Sequence, residues 1–367
     1  VTYHSNVAAE ATVTKISDIQ WKVTFEDNPQ PPPNPGDPPP PPDPTDVLVT
    51  IDNGDPAVYG TNGGAPDYVG HAADPVNTAT GNFEHSLPVV SYPSQVYGMG
   101  LVATYNSRDP YGSSLGFGVG WVTDLDVALV TEPNGSLTYR DPKGRRVALV
   151  SSGADAWYAP EGIVGSVVRL SSPTRFAIQF SAGERWEFDS TGRLVTKCQG
   201  QPGWSGTADS CSGSSSTAGQ VVTVSWTGAH PSGVSSSNGM SQSFTYDSTG
   251  SRVMTIVAHD DTNAAHDRQV DVGYNTAAPA ATLALLTAPR FSTDTGYPIS
   301  TFGRDTSTSS RFRLATFAVT AADGSGYPDP TQSVRVVDNT YDADGRVTAQ
   351  TQSSGDLTSF TWNDTAH

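Results

Sequence analysis

Four copies of one degenerate turn motif divide this chain into runs of alternating apolar and polar residues. They read Tyr139-Arg140-Asp141-Pro142-Lys143-Gly144-Arg145, Phe188-Asp189-Ser190-Thr191-Gly192-Arg193, Tyr246-Asp247-Ser248-Thr249-Gly250-Ser251-Arg252 and Tyr341-Asp342-Ala343-Asp344-Gly345-Arg346. Each ends an alternating run on an aromatic, places Asp at the first turn position and Gly where the backbone needs positive φ, and opens the next run with a basic residue. This is a β-hairpin written as a repeat unit. Repeats of this kind bury their apolar faces against one another and build an extended sheet rather than a compact enzyme core.

Composition supports an all-β fold. The chain has 36 Gly, 28 Pro, only 3 Met and 16% charged residues, a balance that disfavours helix and favours short strands joined by tight turns. Ala277 to Leu286 is the one stretch with helical character, but Pro279 interrupts it and a strand pair is the competing reading.

A second block accompanies the turns. Asp74-Pro75-Val76-Asn77-Thr78-Ala79-Thr80-Gly81-Asn82-Phe83 is followed by Thr104-Tyr105-Asn106-Ser107-Arg108-Asp109-Pro110 and by Gly116-Phe117-Gly118-Val119-Gly120-Trp121. Turns and block together resemble the Rhs, or YD-repeat, family, whose members include shells of bacterial polymorphic toxins, insecticidal toxin complexes and animal teneurins. The resemblance covers roughly residues 70 to 367. It implies that the repeats curl toward a hollow β-shell enclosing or displaying a C-terminal toxic or adhesive domain, and that an aspartyl self-cleavage site ends the shell. Neither of those features maps to a residue of this chain. The motif aromatics at 139, 188, 246 and 341 stand much further apart than in regular arrays, which predicts insertions that decorate the sheet with surface loops.

The expected organisation has four parts. Residues 1–28 are the tail of an N-terminal β-domain, because Ala11 to Ile16 and Ile19 to Phe25 alternate with period two. Residues 29–46 are a polyproline linker; the eleven prolines between Pro29 and Pro44 predict a stiff polyproline II spacer, about 50 Å if fully extended. Residues 47–121 are the Rhs opening region and 122–367 the YD-repeat sheet. Both ends read as cut from something longer: Val1 opens within an alternating segment and Phe360-Thr361-Trp362 resembles the start of another repeat.

The formal charge of −17, from 20 basic and 37 acidic residues, argues against nucleic acid as a partner, since phosphate contacts need clustered Lys and Arg. No run of eighteen apolar residues predicts a membrane span. Cys198 and Cys211 close a Gly/Ser-rich loop and are expected to form a disulfide, which places the protein in an oxidising setting, secreted or at a bacterial cell surface.

Catalytic patterns are weak. Gly112-Ser113-Ser114-Leu115-Gly116 fits G-x-S-x-G but is not followed by helical sequence. His259-Asp260-Asp261 and His266-Asp267 flank a polar turn and read as solvated loop residues. Asp342-Ala343-Asp344 and Asp52-Asn53-Gly54-Asp55 lack the remaining ligands of a calcium loop, so no metal or other cofactor is expected. The expected function is therefore a non-enzymatic scaffold whose partners are later repeats and cargo of the same polypeptide. The alternative is a cell-surface adhesin or a self-associating filament subunit that presents Trp157, Tyr158, Trp204 and Tyr297 to a glycan or a cell-surface protein.

Overall fold

The computed structural model describes most of residues 71–362 and four short strands between Thr2 and Val49. The chain divides into two compact units, Val1–Tyr59 and Gly60–His367.

In the first unit, strands Thr2–His4, Glu10–Lys15, Trp21–Phe25 and Asp46–Val49 form an antiparallel sheet in chain order. The register aligns Val13 with Val23 and Val23 with Val47. Residues 29–44 lie outside the described residues, so the polyproline rod is not described. The strands on either side of it pair directly, Thr24 against Asp46, and the segment therefore links two neighbouring strands of one sheet rather than two separate bodies. Asp46–Val49, which the sequence groups with the linker and opening region, belongs to this sheet.

The second unit is antiparallel β-structure throughout its described residues. Seventeen strands, from Ser151–Gly153 to Leu357–Ser359, each hydrogen-bond to the next in sequence. Two three-stranded sheets precede them: Glu84–Val90, Leu101–Asn106 and Trp121–Thr123, then Ala128–Thr131, Leu137–Arg140 and Arg146–Ala148. Apart from the short 3-10 turn Ala264–His266, no helix occurs among the described residues. Of the ambiguous stretch Ala277 to Leu286, residues 277–281 lie outside the described residues, and the rest belongs to the strand Thr282–Thr287, with Leu283 and Leu286 buried. An isolated helix could not offer backbone partners to the strands on either side, Arg268–Asn275 and Pro298–Arg304.

Alternation decides which face each strand buries. In Val221–Thr227, Val222 and Val224 point into the core while Thr223 and Ser225 face out. Fully burying each such valine stabilises by about 1.5–3 kcal/mol. The wide intervals between motif aromatics are not insertions alone. Further hairpins of the same sheet fill them, such as Val221–Thr227 with His230–Ser236, whose turn at Gly228 needs positive φ but carries no Asp signature.

One core runs through the whole unit. Phe83, Tyr105, Phe117 and Trp121 pack with Ile178, Ile256, Phe302 and Phe317 from the long sheet. Trp121 meets Phe302 edge-on at 5.2 Å between centroids, and Phe302 stacks on Phe317 at 5.5 Å. Residues 83–121 of the opening region thus share the core of the long sheet, and the expected boundary at residue 121 falls inside it.

Candidate functional site

Three of the four repeat turns are built the same way. Asp141, Asp189 and Asp342 each donate their backbone N–H to the carbonyl four residues on, at Arg145, Arg193 and Arg346, while the glycine N–H returns to the Asp carbonyl. Gly144, Gly192 and Gly345 take φ of 86°, 86° and 83°. The Asp carboxylate closes the turn from inside: Asp189 Oδ1 accepts the N–H groups of Thr191 and Arg193 at 2.9 and 3.0 Å, and Asp342 Oδ1 accepts those of Asp344 and Arg346 at 3.0 and 2.9 Å. Arg193 and Arg346 then grip the other oxygen of the same Asp at 2.7 Å. The third turn is one residue longer, running from Asp247 to Arg252 around Gly250. The preceding aromatics Tyr139, Phe188 and Tyr341 are buried and Tyr246 is half-buried.

The four turns converge on one segment, residues 81–129. At the first, Asn106 Nδ2 donates to the Lys143 carbonyl at 2.7 Å, and the Lys143 ammonium meets Glu84 at 2.8 Å. At the second, Leu129 N–H donates to the Gly192 carbonyl at 2.8 Å. At the third, Val253 N–H donates to the Leu115 carbonyl at 2.9 Å. At the fourth, Val347 N–H donates to the Gly81 carbonyl at 3.0 Å, and the Ser107 hydroxyl donates to the Gly345 carbonyl at 2.9 Å. Because turns far apart in strand order reach the same segment, the sheet bends around it.

The approach is backbone to backbone, which explains the glycines. A side chain on Gly116 would strike the Ser251 carbonyl, and one on Gly81 would meet Arg346 and Trp362. Polar receptors inside the segment are buried and mutually satisfied. Asn82 Nδ2 donates to Asn106 Oδ1 at 3.0 Å, and Ser107 Oγ accepts Phe83 N–H at 3.0 Å. Asp109 accepts Tyr111 N–H and lies 3.6 Å from Arg140; burial pushes its carboxyl up against the pull of that guanidinium. Tyr105 accepts Leu314 N–H through its hydroxyl, and burial raises that phenol so that it stays protonated.

Asn82, Asn106 and Ser107 belong to the second block noted above, but sequence reasoning assigned them no role. Their signal was present: short polar residues set beside Gly81, Tyr105 and Phe83 in segments otherwise apolar enough to be buried.

The remaining candidates are placed as follows. Cys198 and Cys211 are disulfide-bonded, with Cα atoms 5.9 Å apart. Beneath the bridge lie Arg185 and Glu187, both fully buried, whose side chains pair at 3.2 Å while Glu187 also accepts Cys211 N–H at 2.9 Å. Ser114 precedes a glycine turn and the strand Trp121–Thr123, and His230 reaches its carbonyl, not its hydroxyl. Asp52 to Asp55 lie outside the described residues, as do Trp204, Asp260 and Asp261. Tyr158 is 63% exposed, whereas Trp157 packs on Phe176 and Tyr297 lies under the Arg290 guanidinium. His259 and Asp267, from two separate sequence clusters, come into contact.

Among the described residues no helix is long and apolar enough to cross a membrane. A family model described as "Domain of unknown function (DUF6531)" matches residues 73–149. That span contains the whole turn-receiving segment and the whole first turn. No curated protein matches the chain.

Proposed function

We propose that this chain is the structural scaffold of an Rhs/YD-repeat protein, secreted or held at a bacterial cell surface, that encloses or displays a C-terminal toxin or effector domain of the same polypeptide. The observation that carries the reading is the convergence of four Asp–Gly turns on residues 81–129, with contacts such as Ser107 to Gly345 spanning 238 residues. Closing a loop of that length costs conformational entropy, and a buried, hydrogen-bonded hub offsets it by uniting every repeat with one core. A sheet held in this way is suited to forming a wall. The family match over 73–149 supports the reading because it falls on the second block and the first of the four turns.

The adhesin or filament alternative draws on exposed aromatics, and of its described candidates Tyr158 alone is largely solvent-facing. Electron microscopy of the intact polypeptide tests the proposal: closed hollow particles are expected, and open fibres or rods would replace the container with the filament.

A further inference from the structure

We propose that Ser243, His259 and Asp267 form a nucleophilic serine site that takes small activated acyl esters. The three residues lie on neighbouring elements of the long sheet, outside the four repeat turns. Strand Ser241–Tyr246 pairs with Val253–His259 so that Ser241 stands opposite His259 and Ser243 lies diagonal to it on the same face. Val253–His259 pairs in turn with Arg268–Asn275, the last rung joining Ala258 to Arg268, which brings Asp267 beside His259.

The order of contacts is that of a charge-relay row. His259 Nδ1 lies 2.9 Å from Asp267 Oδ2, and His259 Nε2 lies 3.2 Å from the Ser243 hydroxyl. A carboxylate on Nδ1 holds the proton there, which leaves Nε2 as the acceptor facing the serine. Asp267 is itself fixed: it follows the 3-10 turn Ala264–His266, donates its N–H to the Ala264 carbonyl, and sits behind a turn capped by Asn263. His266 is engaged by Asn263 at 3.3 Å, so a single imidazole addresses the serine. Ser243 is exposed, whereas the Asp267 side chain is only 20% exposed, an arrangement that screens the orienting charge and presents the nucleophile.

The substrate class follows from the surroundings. Gly233, the other neighbour of Ser243 in register, brings no side chain to that side and leaves space for an acyl group. That open side suits short acyl groups carrying good leaving groups. Ser243 Oγ bonds to the acyl carbon as its proton passes to His259 Nε2, and the ester C–O bond breaks as that proton passes to the leaving alkoxide. Water, deprotonated by the same Nε2, then releases the carboxylic acid and restores the serine.

The test is labelling of the folded chain with an alkyl fluorophosphonate, followed by peptide mapping, alongside hydrolysis of p-nitrophenyl acetate. Label is expected on Ser243 at least about tenfold faster than on Ser241 or Ser235, with a similar loss in His259→Gln and Asp267→Asn and a parallel fall in ester hydrolysis. Equal labelling of the three serines, or a His259→Gln rate within about twofold of the parent, would overturn the site. Unfolding the parent in urea serves as a check that needs no variant: preference for Ser243 must vanish, and its persistence would show ordinary peptide reactivity instead.

Discussion

The Ser107 hydroxyl donates a 2.9 Å hydrogen bond to the carbonyl of Gly345, a residue 238 positions away, and in the same place accepts the N–H of Phe83. One small side chain thereby ties the fourth repeat turn to Phe83, at the entry of the strand Glu84–Val90. Ser107→Ala leaves a buried carbonyl and a buried N–H without that partner, and should cost about 2 kcal/mol in urea unfolding. A loss below about 0.5 kcal/mol would mean that the hub is not where the repeats are secured.

Gly192 and Gly250 separate two reasons for a turn glycine. Both have positive φ, 86° and 72°, so an alanine at either should cost about 1–2 kcal/mol for conformation alone. A Cβ at Gly250 meets nothing, but one at Gly192 strikes the Leu129 carbonyl and disrupts the docking bond. Gly192→Ala should therefore lose at least about 3 kcal/mol in all, clearly more than Gly250→Ala. Asp247→Asn, which keeps an acceptor for Ser251 N–H, should lose less than Gly250→Val, and chelator should leave the parent's melting temperature unchanged. Equal losses at the two glycines would remove Leu129 as the turn's receptor.

Two aspartates should respond to pH with opposite sign. Burial pushes the Asp124 carboxyl up to about 6, against the pull of Lys197 and of Val102 N–H. Its contribution to stability is full below about pH 4 and is lost as pH rises through 6, so Asp124→Asn should gain about 1–2 kcal/mol at pH 7.5 and nothing at pH 3.5. For Asp189, burial works upward but is outweighed by the Thr191 hydroxyl, Arg193 and the turn N–H groups, so its carboxyl titrates below the usual range. Its contribution is present above the unfolded value and is lost as pH falls, so Asp189→Asn should destabilise at pH 7 and approach the parent at pH 2. Denaturant curves of both variants across this range would show the crossing; parallel shifts at every pH would contradict it.

The Cys198–Cys211 bridge lies beside the buried Arg185–Glu187 pair. Replacing both cysteines with serine should lower stability by about 3 kcal/mol, the loop-closure value, and reduction of the native chain should lower its melting temperature correspondingly. An unchanged melting temperature under reductant would show that the loop is held without the bridge.

The local grammar was legible in the chain itself. Alternation at Val221–Thr227 identifies a strand and its buried face, and Asp followed by Gly at 189–192 identifies a turn, because both depend on period and backbone conformation within a few residues. Hairpins turning at Gly228 and Gly239 were harder to see, since a lone glycine supplies positive φ without the Asp signature.

What tertiary structure alone decided is where those turns dock and what the short polar residues between them do. Asn82, Asn106 and Ser107 carry no periodicity that distinguishes a buried receptor from a loop residue, and their partners at Lys143 and Gly345 are set by how the whole sheet bends. The same holds for Ser243, His259 and Asp267, brought together by the pairing register of three strands. The sequence by itself determined strands, turns and the all-β class, because these rest on local sterics and side-chain alternation. The hub and the serine row rest on contacts between residues distant in the chain, where register and curvature, not local pattern, choose the neighbours.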